Sequence, residues 1–155
     1  MPDEPTTYLP AGMPEPAYLE GSLDAPYWEA TRRHELVIQQ CEACGTSQWE
    51  PEWICHACQS ARLTWRTVSG HGQIYSSARV WHPTHASLRG AGLPYITVLV
   101  ELADAPGVRM IGNLLGDREQ EAAIGEEVEA VFEDHAGDEH PYSLVQWQVI
   151  AADRA

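Results

Sequence analysis

The chain has 155 residues, with 23 acidic and 9 basic side chains and a formal net charge of −14. Because non-specific binding to phosphate backbones needs a basic surface, this charge argues against a nucleic-acid-binding protein. All the basic residues are arginines, which excludes chemistry through a lysine Schiff base, and no apolar run reaches the roughly 20 residues of a membrane helix.

The first 21 residues contain five prolines among scattered apolar side chains. Proline disfavours helix and favours extended backbone, so we predict an arm over residues 1–21 that lies along a surface of this chain or of a partner. A disordered tail is the alternative. The first residues have neither the positive region nor the apolar run of a secretory signal, which predicts a cytoplasmic protein.

A helix and a strand are predicted next. Asp24 or Ser22 can cap the helix, Pro26 suits its first turn, and basic side chains stand at its end. We therefore predict a helix over Ala25–His34. The following segment, Glu35–Gln40, predicts a strand that leads directly into the first cysteine.

Every cysteine belongs to one of two Cys-x-x-Cys pairs, Cys41 with Cys44 and Cys55 with Cys58, separated by ten residues. A two-residue spacer lets one tight turn present both sulfurs to one cation, and two such turns complete a tetrahedron of thiolates. Two disulfides are the alternative, because four cysteines allow three pairings, but an intracellular compartment keeps thiols reduced. We predict a structural Zn²⁺, since protein atoms fill all four positions; iron in a rubredoxin-like site would satisfy the same ligands.

The loop between the two pairs places Trp49 and Trp53 on either side of Pro51. In a small ribbon such aromatic side chains shield the metal cluster and cover the joint to the next domain. Contact with a partner is the alternative. We assign residues 22–62 to one unit, a helix plus a zinc ribbon, which is too small to fold without its metal.

From residue 63 onward, apolar and polar residues alternate in short segments, as in strands with one buried face. The turn residues of Ala103–Gly107 predict a hairpin between two of these segments. Five or six short strands with few helix signals predict a small closed or partly open barrel over residues 63–155. The segments are Leu63–Val68, Gln73–Trp81, Tyr95–Glu101, Val108–Leu115, Glu127–Glu133 and Ser143–Ile150.

One connection of the predicted barrel, His82–Pro94, is long for a domain of this size, and long loops on rigid barrels often carry function. We predict that it orders against a ligand or another subunit. No acidic ligand accompanies its histidines, which argues against a second metal site, and no nucleophile-elbow motif supports a catalytic triad. The candidate contact residues here are Trp81, His82, His85, Arg89 and Tyr95.

Several motifs, in this order, accompany the cysteine ribbon: Pro26-Tyr-Trp28, Val68-Ser-Gly-His-Gly-Gln-Ile-Tyr75, Leu93-Pro-Tyr95 and Ile124-Gly-Glu-Glu-Val128. With the ribbon they resemble a family in which a zinc ribbon precedes an OB-fold domain, long catalogued as a domain of unknown function. The resemblance covers about Asp24 to Ile150 and leaves the arm outside it. It implies a mainly β fold with an N-terminal helix, a rubredoxin-like zinc ribbon and a small OB-fold barrel. It places the metal ligands at the four cysteines and supplies no catalytic residue.

Members of this family stand beside thiolase-fold enzymes of acyl-CoA metabolism. The resemblance therefore implies a non-catalytic accessory subunit, in a hetero-oligomer, of a thiolase-like aldolase or acyltransferase. The implied reaction is the retro-aldol cleavage of a steroid side chain held as a CoA thioester. In this hypothesis Trp49, Trp53 and the loop His82–Pro94 contact the partner or the CoA arm.

Two other functions are open to the same sequence. One is a stand-alone acyl-CoA-binding module with its ligand in the mouth of the barrel. The other is a single-stranded nucleic-acid-binding protein that stacks bases on Trp81 and Tyr95, against which the acidic charge argues.

Overall fold

The computed structural model describes residues 13–89 and 92–150. Strands dominate this part of the chain, which confirms the predicted mainly β fold, and none of its helices is long and apolar enough to cross a membrane. The elements in chain order are helix α1 (Ala25–Thr31), strands β1 (Leu36–Cys41), β2 (Ser47–Gln48), β3 (Leu63–Val68) and β4 (His71–Val80), a short 3-10 helix (Ala86–Leu88), and strands β5 (Tyr95–Leu102), β6 (Arg109–Asn113), β7 (Glu127–His135) and β8 (Tyr142–Val149).

Helix α1 ends three residues before the predicted end at His34. His34 adopts a left-handed backbone conformation (φ 58°), and the N–H of Glu35 donates to the carbonyl of Ala30 at 3.0 Å. This pairing closes the helix as a left-handed C-terminal cap does. Pro26 lies in the first turn as predicted, whereas the carboxylate of Asp24 at the cap position makes no hydrogen bond to the helix N–H groups.

The first sheet connects the ribbon to the start of the predicted barrel. Its three strands lie in the order β2-β1-β3 and are antiparallel. Strand β1 pairs with β3 along its whole length, from Leu36 opposite Val68 to Cys41 opposite Leu63. Strand β3 thus belongs to the ribbon sheet, and the domain boundary that we place between residues 62 and 63 stays a prediction.

The second sheet forms the barrel. Its five strands lie in the order β6-β5-β4-β7-β8, with antiparallel neighbours throughout. A parallel bridge between Leu114 and Trp147 brings the two edges of the sheet together, so the barrel is partly closed. Strands β5 and β6 pair directly across residues 103–107, which confirms the predicted hairpin.

One hydrophobic core is shared by the helix, the ribbon sheet and the barrel. It includes Tyr27 of α1, Ile38 of β1 and Trp147 of β8, the last two fully buried. The barrel closes tightly around Trp147 because position 112 is a glycine: a Cβ at Gly112 would lie 2.7 Å from Cδ1 of that indole. The ribbon is therefore packed on the barrel as part of one folded unit.

The described part of the predicted arm lies against its own chain. The carboxylate of Glu15 accepts a hydrogen bond from the N–H of Asp138 at 2.6 Å. The ring of Tyr18 stands edge-on to His140, with 5.7 Å between centroids, and its hydroxyl donates to Glu29 at 3.1 Å. Residues 1–12 of the arm lie outside the described residues.

Candidate metal centre and contact surfaces

The four cysteines converge on one point. Their sulfur atoms all lie within 4.8 Å of one another, and the Cys41–Cys58 and Cys44–Cys55 sulfur pairs are each 3.6 Å apart. A disulfide needs about 2.05 Å between sulfurs. A tetrahedron with metal–sulfur bonds of about 2.3 Å has edges of about 3.8 Å. The four thiols therefore fit a structural metal site and not a pair of disulfides.

The two Cys-x-x-Cys turns repeat the same backbone geometry. In the first turn the N–H of Gly45 donates to the carbonyl of Cys41 at 2.8 Å, and in the second the N–H of Gln59 donates to that of Cys55 at 2.9 Å. Gly45 and Gln59 both adopt left-handed backbone conformations, with φ of 76° and 62°. Only glycine does so readily, so the first turn has the residue that this geometry favours and the second does not.

The sulfurs differ in exposure and in acidity. Cys41 and Cys55 are buried, whereas Cys44 and Cys58 are exposed. The hydrogen bond with the Thr46 hydroxyl is the main cause that lowers the pKa of Cys44 to about 6. The Ser60 N–H lowers the pKa of Cys58, but hydrogen bonds with the other thiols outweigh it and raise that pKa to about 12. The lowered pKa favours the thiolate form of Cys44, which is the form that binds a metal.

Two buried glutamines hold the loop between the cysteine pairs, which we did not predict from the sequence. The Gln39 carbonyl oxygen accepts from the Gln48 amide at 2.9 Å and from the Glu52 N–H at 2.9 Å, and the Gln39 amide donates to the Glu52 carbonyl at 3.2 Å. The Gln48 amide also donates to the carbonyl of Ile54, and its oxygen accepts from the N–H of His56. These side-chain hydrogen bonds hold the loop in the way that pairing with a strand would, and they thereby position the second cysteine pair.

The two predicted loop tryptophans have different environments. Trp49 is partly buried and packs against Tyr27, with 4.6 Å between ring centroids. Trp53 is 72% exposed, and its neighbour Ile54 is 49% exposed. Trp49 therefore joins the ribbon to α1, while Trp53 and Ile54 form an apolar tip that is open to a partner. Contact of either tryptophan with a partner stays a prediction.

The predicted barrel contacts gather at one end of the β4–β5 hairpin. Trp81 is 53% exposed and follows Val80, which pairs with the half-buried Tyr95. His82, His85 and Arg89 are exposed in the connection. His85 caps the start of the 3-10 helix, since its ring accepts a hydrogen bond from the N–H of Ser87. Their role in binding stays a prediction.

An apolar patch on the barrel was missed by the sequence analysis. Ile111 of β6 is 67% exposed and lies opposite Leu99 of β5, and Tyr75 of β4 is 49% exposed. The guanidinium of Arg109 lies 3.5 Å above the ring of Tyr75 and is held by Glu101 at 3.0 Å. The alternation in β5 and β6 is the signal for this outer barrel face, since it assigns these side chains to the side opposite the core.

The described residues place a serine and a histidine around one aspartate without forming a catalytic triad. The Ser143 hydroxyl donates to Asp134 at 2.6 Å, and the ring of His34 lies 3.0 Å from the same carboxylate. Both groups contact the aspartate, whereas a triad needs the histidine between serine and acid. Hydrogen bonds from Ser143 and then from His34 lower the pKa of Asp134, so this cluster stabilises the junction of α1 with the barrel.

Family models match most of the described chain. Residues 28–64 match the model described as ChsH2, rubredoxin-like zinc ribbon domain, and residues 65–133 match that of the ChsH2 C-terminal OB-fold domain. Among solved structures, the chain is similar to one titled "Ltp2-ChsH2(DUF35) aldolase", with a TM-score of 0.71 and 30% identity. That match covers 87% of this chain and 98% of the other.

Two curated proteins are also similar in sequence. A probable enoyl-CoA hydratase alpha subunit of Thermomonospora curvata is 37% identical over 115 residues, which are 72% of this chain and 33% of that protein. The 3-oxo-4,17-pregnadiene-20-carboxyl-CoA hydratase alpha subunit of Mycobacterium tuberculosis is 31% identical over 122 residues, 79% of this chain and 36% of that protein. The chain thus spans about a third of the length of these two relatives.

Proposed function

We propose a function from the premise that this chain belongs to the ChsH2 (DUF35) family, whose members join a rubredoxin-like zinc ribbon to an OB-fold domain. In this proposal the chain is a non-catalytic accessory subunit of a thiolase-fold enzyme acting on acyl-CoA. The match to the Ltp2-ChsH2(DUF35) aldolase carries the proposal, because it extends over 98% of that chain at 30% identity. The arrangement of side chains agrees with it, since all four cysteines belong to one candidate structural metal site and the cluster of Ser143 and His34 around Asp134 lacks triad geometry.

The reaction that we propose for the complex is retro-aldol cleavage of a steroid side chain carried as a CoA thioester. Two names support it: the similar structure is titled an aldolase, and the mycobacterial relative is named for a pregnadiene carboxyl-CoA. The partner would hold the acid and base that break the carbon–carbon bond. This chain would complete or stabilise that active site.

We further propose that the metal is Zn²⁺, bound by Cys41, Cys44, Cys55 and Cys58. Four thiolates at tetrahedral spacing are a preferred ligand set for Zn²⁺, although iron accepts the same set. With no position left for water or substrate, the ion would supply folding energy and no chemistry. Its role would be to hold the loop that carries Trp53.

The partner would bind at the exposed apolar groups. Large side chains are exposed at the tip formed by Trp53 and Ile54, and Trp81 is exposed at the end of the β4–β5 hairpin. Exposed apolar side chains of this size mark surfaces that bind a partner. Tyr95, His82, His85 and Arg89 would add contacts to the partner or to the CoA arm.

Co-expression with a thiolase-fold partner tests the proposal. The two chains should co-purify, and release of the cleaved side-chain product from a steroid-type acyl-CoA should need both. Trp53→Ala should weaken the complex, whereas Ile124→Ala, which changes an equally exposed side chain of the barrel (69%), should not. A partner that is fully active alone would sink the accessory role, and tight acyl-CoA binding by the isolated chain in calorimetry would favour a binding module instead.

A further inference from the structure

A cleft between α1 and the loop of the ribbon is lined by aromatic side chains. Its volume is about 390 Å³, and Tyr27, Trp28 and Trp49 supply its aromatic walls. The ring of Tyr27 packs edge-on against Trp28 at 5.1 Å and lies 4.6 Å from Trp49. The walls are therefore fixed by one another and by the core, so the cleft is preformed.

Two carboxylates line this aromatic cleft, and no basic side chain among residues 13–89 and 92–150 does so. Asp24 and Glu50 belong to its lining. Partial burial raises the pKa of Asp24, but hydrogen bonds from the Ser22 hydroxyl and the Trp28 indole N–H outweigh it, so the pKa stays below the ordinary value. Asp24 is thus charged at neutral pH, and its 3.0 Å hydrogen bond from Trp28 holds that indole in place.

Glu50 is exposed, and no described residue forms an ion pair or a side-chain hydrogen bond with it. A second carboxylate at the cleft is thus available to a ligand. Coenzyme A carries phosphates, which two carboxylates would repel. A cation is favoured instead, because the quadrupole of an indole face attracts positive charge and the whole chain carries −14.

Other clefts in the described residues lack this combination. The larger cleft beneath the arm, about 450 Å³, is lined by Arg32 and His140 as well as by acids, so its charge is mixed. A third cleft at the end of the barrel, about 430 Å³, contains Glu101 and Glu127 but no phenylalanine, tyrosine or tryptophan. Among these three clefts, only the aromatic cleft combines aromatic faces for stacking with negative charge that no basic lining residue offsets.

We propose that the aromatic cleft receives an arginine side chain of the partner subunit. The guanidinium plane stacks on an indole face while its N–H groups donate to carboxylates, which suits Trp28 or Trp49 beside Asp24 and Glu50. This inference rests on the proposed function, because it assigns to the partner a basic residue that complements the acidic chain. In this proposal Trp49 contacts the partner as part of the cleft wall, whereas Trp53 contacts it at the exposed tip.

Titration of the metal-loaded full chain with N-acetyl-arginine amide tests the site without the partner. Nuclear magnetic resonance should show the indole N–H signals of Trp28 and Trp49 shifting with arginine and not with the neutral isostere N-acetyl-citrulline amide. Glu50→Gln should weaken the apparent affinity about threefold, whereas Glu42→Gln, at an exposed carboxylate outside the cleft, should leave it unchanged. Equal shifts with citrulline, equal affinity for N-acetyl-lysine amide, or no shift of either indole would overturn the proposal.

The same variants in the complex separate this inference from the proposed function. Glu50→Gln should weaken the partner's binding by a factor similar to that in the titration, with smaller loss at high salt. If the chains co-purify and Glu50→Gln changes nothing, the arginine assignment is wrong and the accessory role stands. If arginine binds in the titration but no thiolase-fold partner does, the accessory role is wrong and with it the assignment of the cleft to that partner.

Discussion

Replacing Gln39 by methionine should destabilise the ribbon far more than the same change at its neighbour Gln40. Gln39 is 2% exposed and makes three hydrogen bonds, one with the side chain of Gln48 and two with the backbone of Glu52. Methionine has nearly the same shape, so the change removes hydrogen bonds without opening a cavity. It therefore isolates the contribution of the glutamine network to the ribbon.

The size of the effect follows from the partners that are left. A protein hydrogen bond contributes about 1 kcal/mol net, so three bonds set an upper value of about 3 kcal/mol. Glu52 is exposed, which lets water reach its backbone groups after the change, and the buried Gln48 amide keeps its bond to Ile54. We therefore expect Gln39→Met to lower the free energy of unfolding by about 2 kcal/mol.

Urea unfolding of the metal-loaded protein, followed by circular dichroism, measures this free energy. Gln40 makes one exposed hydrogen bond, to the carbonyl of Gly45 at 3.3 Å, so Gln40→Met should cost about 0.5 kcal/mol or less. Amide hydrogen exchange should accelerate at Glu52 and His56 in Gln39→Met, because both N–H groups depend on the two buried glutamines. Equal loss of stability in the two variants would refute the reasoning.

Three further predictions concern the metal, the barrel and pH. Cys41→Ser, or a chelator, should remove the metal measured by atomic absorption and unfold the ribbon, since such sites depend on their ion for folding. Gly112→Ala should lower the free energy of unfolding by about 1–3 kcal/mol, because its Cβ would meet the Trp147 indole at 2.7 Å. The pKa of Asp134 is lowered in the folded protein, so its charged carboxylate stabilises the fold at pH values above the unfolded-state pKa near 3.8. Asp134→Asn should therefore reduce stability at pH 7 but not at a pH below the folded-state pKa.

Each of these has an outcome that contradicts it. Full metal content and an unchanged ribbon in Cys41→Ser would show that the cysteines do not have the structural role that we assign to them. A Gly112→Ala variant as stable as the parent would mean that the barrel opens at Trp147 without cost. If Asp134→Asn lowers stability equally at pH 7 and pH 2, the hydrogen bonds from Ser143 and His34 do not act by stabilising the charge of Asp134.

The sequence by itself determined the features that depend on near neighbours. The two-residue spacing of Cys41 and Cys44, repeated at Cys55 and Cys58, encodes the turn that presents two sulfurs to one ion, so the cluster was predicted from the motif alone. The alternation predicted over Tyr95–Glu101 likewise assigned one face of β5 to the core, because side chains in a strand point to opposite sides in turn.

Only the tertiary structure decided which distant groups meet. Nothing in the residues around Gln39 indicates that its amide would bond Glu52, thirteen positions away, or that β3 would pair with β1 and leave the barrel sheet. The aromatic cleft depends on the ring of Tyr27 reaching Trp49 across 4.6 Å, a contact between a helix and a loop. Such contacts arise when separate segments bury their apolar faces in one core, and local sequence patterns do not specify which segments will do so.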